Sequence, residues 1–189
     1  MHTARFSRLI EVMLIQQQKA LDIEAAHDKG AALDADKPEL YMMSWLADEV
    51  SGEWLNGPVD PALQKVVEDN GFNRPAVYLK HGFCGTTACM AGYGALDEQL
   101  SRQGLRIAML GTAYTRTPFV VFEDKMGYEA LAAFFDIPKQ HAEMLFGDGP
   151  TASKFRRARG FGGFAKAAAL LKSYQDDPET MFREYLDTP

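Results

Sequence analysis

The chain has 189 residues, of which 47% are hydrophobic and 24% are charged, with a net charge of −6. This composition is average for a globular protein and too apolar for a disordered one, so we expect a single globular domain over residues 1–189. Since no apolar run approaches the roughly 20 residues of a membrane span, and neither a secretory signal nor a cysteine framework is present, we expect a cytoplasmic protein with no membrane partner.

Apolar residues that recur every three or four positions predict helices along the first third of the chain. The first helix is predicted over residues 4–27. Its buried face is predicted to contain Phe6, Leu9, Ile10, Met13 and Leu14, and to continue weakly to Leu21. Further helices are predicted over 40–50 and from Pro61 to Gly71, where an aspartate precedes the proline and a glycine ends the pattern. Residues 76–79, AVYL, predict a short strand.

The most unusual stretch is HGFCGTTACMAGYGA, residues 81–95, which contains both cysteines of the chain. It predicts a helix from about Thr86 to Ser101, with Thr86 or Thr87 as the N-cap. One face of this helix is apolar, and a second face carries the small residues Ala88, Ala91 and Ala95. Because small residues let a neighbouring helix approach closely, we expect this helix to lie at the centre of the domain.

The second half of the chain predicts two short strands followed by helices. The strands cover 105–110 and 119–122, and two helices joined by a tight turn span 131–146. A short helix, a glycine break at 160–163, a longer helix and a terminal helix through Leu186 complete the chain. The predicted fold is therefore mainly α, a compact helical domain with a small sheet of two or three strands.

Cys84 is the first candidate for chemistry, because it directly precedes the predicted central helix. Free N–H groups and the dipole at a helix start stabilise a thiolate or an oxyanion, as in cysteine hydrolases. Such enzymes need a histidine base, and His141 is the one histidine downstream of Cys84. Since His141 falls inside a predicted helix, this reaction is an alternative rather than the leading hypothesis. The competing interpretation is that both cysteines are structural, with Cys89 in the core.

His81, Cys84 and Cys89 are candidate zinc ligands, because thiolates and imidazole suit this metal. Zinc takes four ligands, or three and an open position in catalytic sites, and a helix start between the two cysteines does not suit a zinc knuckle. We therefore expect no metal site, and no cofactor motif is present.

A basic segment is the third candidate. It holds five cationic side chains without an acidic one: Lys154, Arg156, Arg157, Arg159 and Lys166. Arginines, glycines and interleaved phenylalanines suit nucleic acid, nucleotide or another anion. The alternative is a solvated helix face joined by a glycine turn. The rest of the chain has 15 basic against 26 acidic residues, a net charge of −11 that suits basic partner surfaces.

The helix pair over 131–146 has the outline of a helix-turn-helix, with Asp136 where a turn glycine often lies. A DNA-reading helix would be basic or rich in amides, whereas PKQHAEML carries one lysine, one glutamine and a glutamate. Ordinary helix packing is the better interpretation.

The segments MSWL at 43–46 and CGTTACMAGYG at 84–94 resemble a group of small uncharacterised proteins of bacteriophages and bacteria. These share a tryptophan-containing segment followed by Cys-Gly-Thr, two residues, Cys, two residues, Gly and an aromatic residue or histidine. The resemblance implies a mostly helical intracellular protein of phage or mobile-element origin, and it implies no activity. The leading hypothesis is a non-enzymatic module that binds a host protein.

Overall fold

The protein is described by a computed structural model over residues 1–28, 39–40, 54–55, 61–72, 77–79, 87–111, 116–147, 149–158 and 163–188. The elements of these residues, in chain order, are α1 (Thr3–Asp28), β1 (Glu39–Leu40), β2 (Trp54–Leu55), α2 (Pro61–Asp69), β3 (Val77–Leu79), β4 (Thr87–Ala88), α3 (Met90–Leu96), α4 (Glu98–Arg102), β5 (Arg106–Gly111), β6 (Arg116–Phe122), β7 (Lys125–Met126), α5 (Gly127–Phe135), α6 (Lys139–Phe146), α7 (Pro150–Ala158), α8 (Gly163–Asp176) and α9 (Pro178–Leu186). The expectation of a mainly helical fold with a small sheet is confirmed.

Helices α1 and α8 form the most extensive helix pair, and they run antiparallel. Near the start of α1, the side chain of Gln175 donates to the carbonyl of Thr3 and to the hydroxyl of Ser7. Further along, the Gln17 side chain accepts from the backbone N–H of Ala165, close to the start of α8. The main hydrophobic core lies beside this pair and includes the inward faces of α3, α5, α6 and α8.

Five strands form one sheet in the order β2-β3-β5-β6-β7, with antiparallel neighbours throughout. Strand β5 pairs with β6 along its length, so that Ile107 lies opposite Val120 and Arg106 opposite Val121. Alternate residues of a strand point to opposite faces. Accordingly, Ile107 and Val120 belong to the main core, whereas Ala108 and Val121 pack with α2 in a second, smaller core.

The single helix predicted over 86–101 is wrong in two respects. Thr87 belongs to β4, which pairs in parallel with β1, and the helix begins three residues later with Cys89 as its N-cap. The helix is also interrupted at Asp97, which has an extended conformation and caps α4. Because an aspartate side chain can bond backbone N–H groups directly, it competes with the continuing helix at this position. The central placement is confirmed, since every residue from Met90 to Ala95 is buried.

Two further predictions about the first third of the chain need correction. Leu40 was assigned to a helix over 40–50 but lies in β1, and residues 41–50 lie outside the described residues. Leu14 and Leu21 were assigned to the buried face of the first helix, yet they are 50% and 46% exposed. The buried row instead follows Phe6, Leu9, Met13 and Ala20.

Candidate functional site

Within the stretch that contains both cysteines, residues 81–95, the structure describes residues 87–95. His81 and Cys84 lie outside the described residues, so the pairing of Cys84 with His141 stays a prediction. Cys89 is 1% exposed, and its Sγ accepts from the backbone N–H of Gly92 at 3.4 Å. Burial raises the pKa of the Cys89 thiol to about 11. Cys89 is therefore a protonated core residue, as the structural interpretation predicted, and it also caps α3, a role that was predicted for Thr86 or Thr87.

His141 of α6 is buried where this helix meets α8 and α9. The side chain is 5% exposed, and its Nδ1 is 2.8 Å from the hydroxyl of Tyr174 on α8. The imidazole stacks on the ring of Phe182 from α9, with centroids 4.1 Å apart and planes at 27°. Desolvation lowers the pKa of His141, so the neutral ring is favoured. The partners seen for the imidazole are thus an aromatic ring and a phenol.

The basic segment is separated by the fold into buried and exposed members. Arg156 is 3% exposed, and its Nη1 donates to the backbone carbonyl of Met144 at 3.3 Å, in the last turn of α6. A cation at the carbonyl end of a helix is favourable, so Arg156 has a role in helix packing. Lys154 and Lys166 are exposed on α7 and α8. Arg157 belongs to α7, and Arg159 lies outside the described residues.

These placements reduce the set of side chains that could bind an anion. A buried guanidinium that bonds a main-chain carbonyl is not presented to a polyanion, so Arg156 does not add to an external basic surface. Anion binding by Lys154, Arg157, Arg159 and Lys166 stays a prediction.

Helices α5 and α6 form the predicted tight pair. Asp136 occupies the left-handed region with φ 52°, where its N–H bonds the carbonyls of Ala132 and Ala133 and closes α5. The second helix buries His141, Ala142, Met144, Leu145 and Phe146. Because the buried residues of α6 pack in the core, helix packing explains the pair of α5 and α6.

No described group of three or more His, Cys, Asp or Glu side chains is arranged to hold a metal ion. Among the described helices, none has the length and apolar character required to cross a bilayer.

The outward side of α1 is an unusual surface. We call the residues Glu11, Leu14, Ile15, Gln18, Leu21 and Asp22 the α1 outer face. Leu14 and Ile15 are each 50% exposed and Leu21 is 46% exposed. Three of the five exposed large apolar residues in the described part of the chain lie on this face. Leu14 and Leu21 are seven positions apart and are neighbours along the helix. Ile15 lies about 100° around the helix from Leu14, with Gln18 between them, so the three side chains lie on the same broad side of α1.

Carboxylates flank this apolar patch. Glu11 accepts from Nη1 of Arg8 at 3.0 Å, and Asp22 accepts from the Gln18 amide at 2.8 Å. Glu24 and Asp28 continue the acidic character toward the end of α1, and both are exposed. The patch therefore combines apolar contact area with a negative rim, which suits a cationic amphipathic partner.

Comparison with protein-family models, curated proteins and solved structures gives no match to this chain. The motif resemblance described above stays a prediction.

The α1 outer face was missed because the sequence prediction placed Leu14 and Leu21 on the buried side of the helix. A signal was available. Phe6, Leu9, Met13 and Ala20 form a single row at spacings of three, four and seven, and Leu14, Ile15 and Leu21 are out of phase with it. A second apolar row on one amphipathic helix indicates a second contact surface.

Proposed function

We propose that this protein functions by binding another protein, and that the α1 outer face is its docking surface. The observation that carries the proposal is the concentration of exposed Leu14, Ile15 and Leu21 on one helix face. Exposed apolar residues are ordinary when scattered, whereas a contiguous patch with a polar rim is typical of interaction sites.

The partner that fits this surface is a cationic amphipathic segment. Its apolar side chains would pack on Leu14, Ile15 and Leu21, and its lysines or arginines would meet the carboxylates of the rim. The chain outside the basic segment has an excess of acidic residues, and this negative charge also favours a cationic partner by attracting it over longer distances. An intracellular location and a host-protein partner of a phage or mobile-element product belong to this proposal through the motif resemblance.

A defined probe tests the surface directly. A labelled helical peptide of leucine and lysine is titrated with the full chain, and binding is followed by fluorescence anisotropy at 50 and 200 mM salt. We expect the double variant Leu14→Asp, Leu21→Asp to bind at least tenfold more weakly than wild type. Leu186→Asp is the matched control, because Leu186 is 65% exposed but lies on α9. Equal losses in both variants, or equal binding of a leucine–glutamate peptide, would contradict the proposal.

A second experiment identifies the occupant inside cells. A photo-crosslinking residue replaces Gln18 in the α1 outer face, and a control replaces exposed Ser173 on α8. We expect a protein adduct from position 18 that is absent at position 173 and is lost in the Leu14→Asp, Leu21→Asp background. An adduct with a second copy of this chain would identify α1 as a self-association surface and would overturn the proposed cationic partner.

A further inference from the structure

Helix α9 is attached to the domain through a run of aromatic contacts that includes His141. Phe182 stacks on His141, and Tyr185 lies 5.9 Å from Phe182, centroid to centroid. Tyr185 also meets the ring of Phe155 on α7 edge-on at 5.6 Å. Met181 is buried on the same side of α9. The imidazole is thus part of the surface on which α9 packs.

The edge of the imidazole ring is bonded to α8 through Nδ1. The 2.8 Å contact between Nδ1 and the Tyr174 hydroxyl allows the hydroxyl to donate to the neutral ring. Tyr174 is 1% exposed, and burial raises its pKa above the ordinary value, so its hydroxyl stays protonated. Three helices therefore meet at one titratable side chain.

Charged groups are present on each helix around this junction. On α9, the carboxylate of Glu179 favours the protonated imidazole. On α5, Glu129 is paired with Lys139 of α6 at 2.7 Å. On α7, Arg156 bonds a carbonyl near the end of α6. Desolvation outweighs Glu179, and the pKa of His141 is lowered from its ordinary value of 6.5.

We propose that His141, Tyr174 and Phe182 form an acid-sensitive latch that keeps α9 docked while the imidazole is neutral and releases it when the ring is protonated. Protonation removes Nδ1 as an acceptor, so the Tyr174 hydroxyl can keep the contact only by rotating to accept from the new N–H. Protonation also places a positive charge in a pocket that is shielded from water and lined by two aromatic rings. Moving α9 away returns the imidazolium to water.

The direction of the pH effect follows from linkage. Above the ordinary pKa of 6.5 neither the docked nor the released state binds a proton at His141, and the latch holds with full strength. Below it the released state binds the proton and the docked state does not. Release is then favoured by about tenfold for each pH unit until the pH reaches the lowered pKa of the docked state.

Hydrogen exchange measured by mass spectrometry tests the latch between pH 7.5 and 5.0. After correction for intrinsic exchange rates, we expect the opening equilibrium of amides in α9 to rise by about tenfold per pH unit below about 6.5. Amides of α5 should change less. A parallel rise in α5 and α9 would indicate global unfolding and would overturn the latch, as would a pH-independent α9.

Two variants show whether the pH dependence of α9 opening comes from His141 or from other groups that titrate in acid. His141→Gln retains a hydrogen-bonding side chain without titration, and the pH dependence of α9 opening should disappear. Glu179→Gln removes the charge that favours the imidazolium in the docked state, so the onset of release should stay near pH 6.5 and the tenfold rise per pH unit should continue to lower pH than in wild type. The same slope in His141→Gln as in wild type would refute the proposal. Should His141→Gln not fold, an NMR titration of the wild-type imidazole decides, because a pKa at or above 6.5 overturns it.

Discussion

Asp97 connects the start of α4 to α1, and its replacement is the sharpest test of the described packing. One oxygen of its carboxylate accepts from the backbone N–H groups of Gln99 and Leu100 at 3.2 and 3.1 Å. The two oxygens also accept from Nε and Nη2 of Arg8 at 3.1 and 2.7 Å. This bonding raises the pKa of Arg8 above its ordinary value.

The expected cost of removing Asp97 can be divided between its two roles. Loss of an N-cap costs about 1 kcal/mol. The side chains of Arg8 and Asp97 are 22% and 10% exposed, so their two-pronged ion pair is better shielded than a surface pair. Charge-assisted hydrogen bonds of this kind contribute about 1.5–3 kcal/mol. Asp97→Ala should therefore cost about 3 kcal/mol, and Asp97→Asn, which retains an acceptor for the cap, about 2 kcal/mol.

Urea unfolding followed by circular dichroism measures these differences. A cycle of Asp97→Asn, Arg8→Met and the double variant isolates the interaction between the two side chains, and we expect a coupling of about 1–2 kcal/mol. Glu11→Gln is the control, since Glu11 is 60% exposed and should contribute less than about 0.5 kcal/mol. A coupling energy indistinguishable from that of the control would refute the assigned role of the ion pair.

Three further predictions concern close packing and the buried thiol. Gly94→Ala should cost about 1–2 kcal/mol in urea unfolding, because the added Cβ would lie 2.9 Å from Cδ1 of Leu9, a side-chain end that can shift. Gly147→Ala should cost about 2–3 kcal/mol in the same assay, since its Cβ would lie 2.3 Å from a main-chain oxygen; Gly149→Ala, with open space around it, should be close to neutral. Cys89 should resist alkylation of the native protein at pH 8, and its contribution to stability should be lost as the pH rises from the ordinary thiol pKa of 9.0 through about 11, because the unfolded thiol ionises first. Rapid alkylation at pH 8, or a penalty at Gly149 equal to that at Gly147, would contradict these assignments.

Local signals predicted most of the helices and failed where a side chain competes with the backbone. The periodicity of α1 and the Asp-Pro pair before α2 are properties of adjacent residues, and both helices form as expected. The break at Asp97 depends on a carboxylate that bonds backbone groups at the expense of the continuing helix. Periodicity alone is insensitive to that choice, since the apolar positions on both sides of the break remain in phase.

The candidate site was less predictable because it depends on contacts between distant segments. His141 and Tyr174 are 33 residues apart, and the sequence indicates neither their bond nor the stacking on Phe182. Arg156 lies in a basic stretch of sequence, which predicts an exposed side chain, but its guanidinium is buried against the end of α6. The number of charged residues in a stretch does not show which of them are buried. The α1 outer face could have been predicted, because the phase of its apolar residues is a property of α1 alone.

The antiparallel contact of α1 with α8 has a consequence for the order of folding during synthesis. Gln17 and Ala165 are separated by 148 residues, and Ser7 and Gln175 by 168. At translation rates of roughly 5–20 residues per second, α1 leaves the ribosome on the order of 10 s before its main partner helix exists. During that interval the buried side of α1 is not covered by α8, so we expect the nascent chain to be open to chaperone binding until α8 is made. Contacts of such long sequence separation also predict slow refolding of the complete chain.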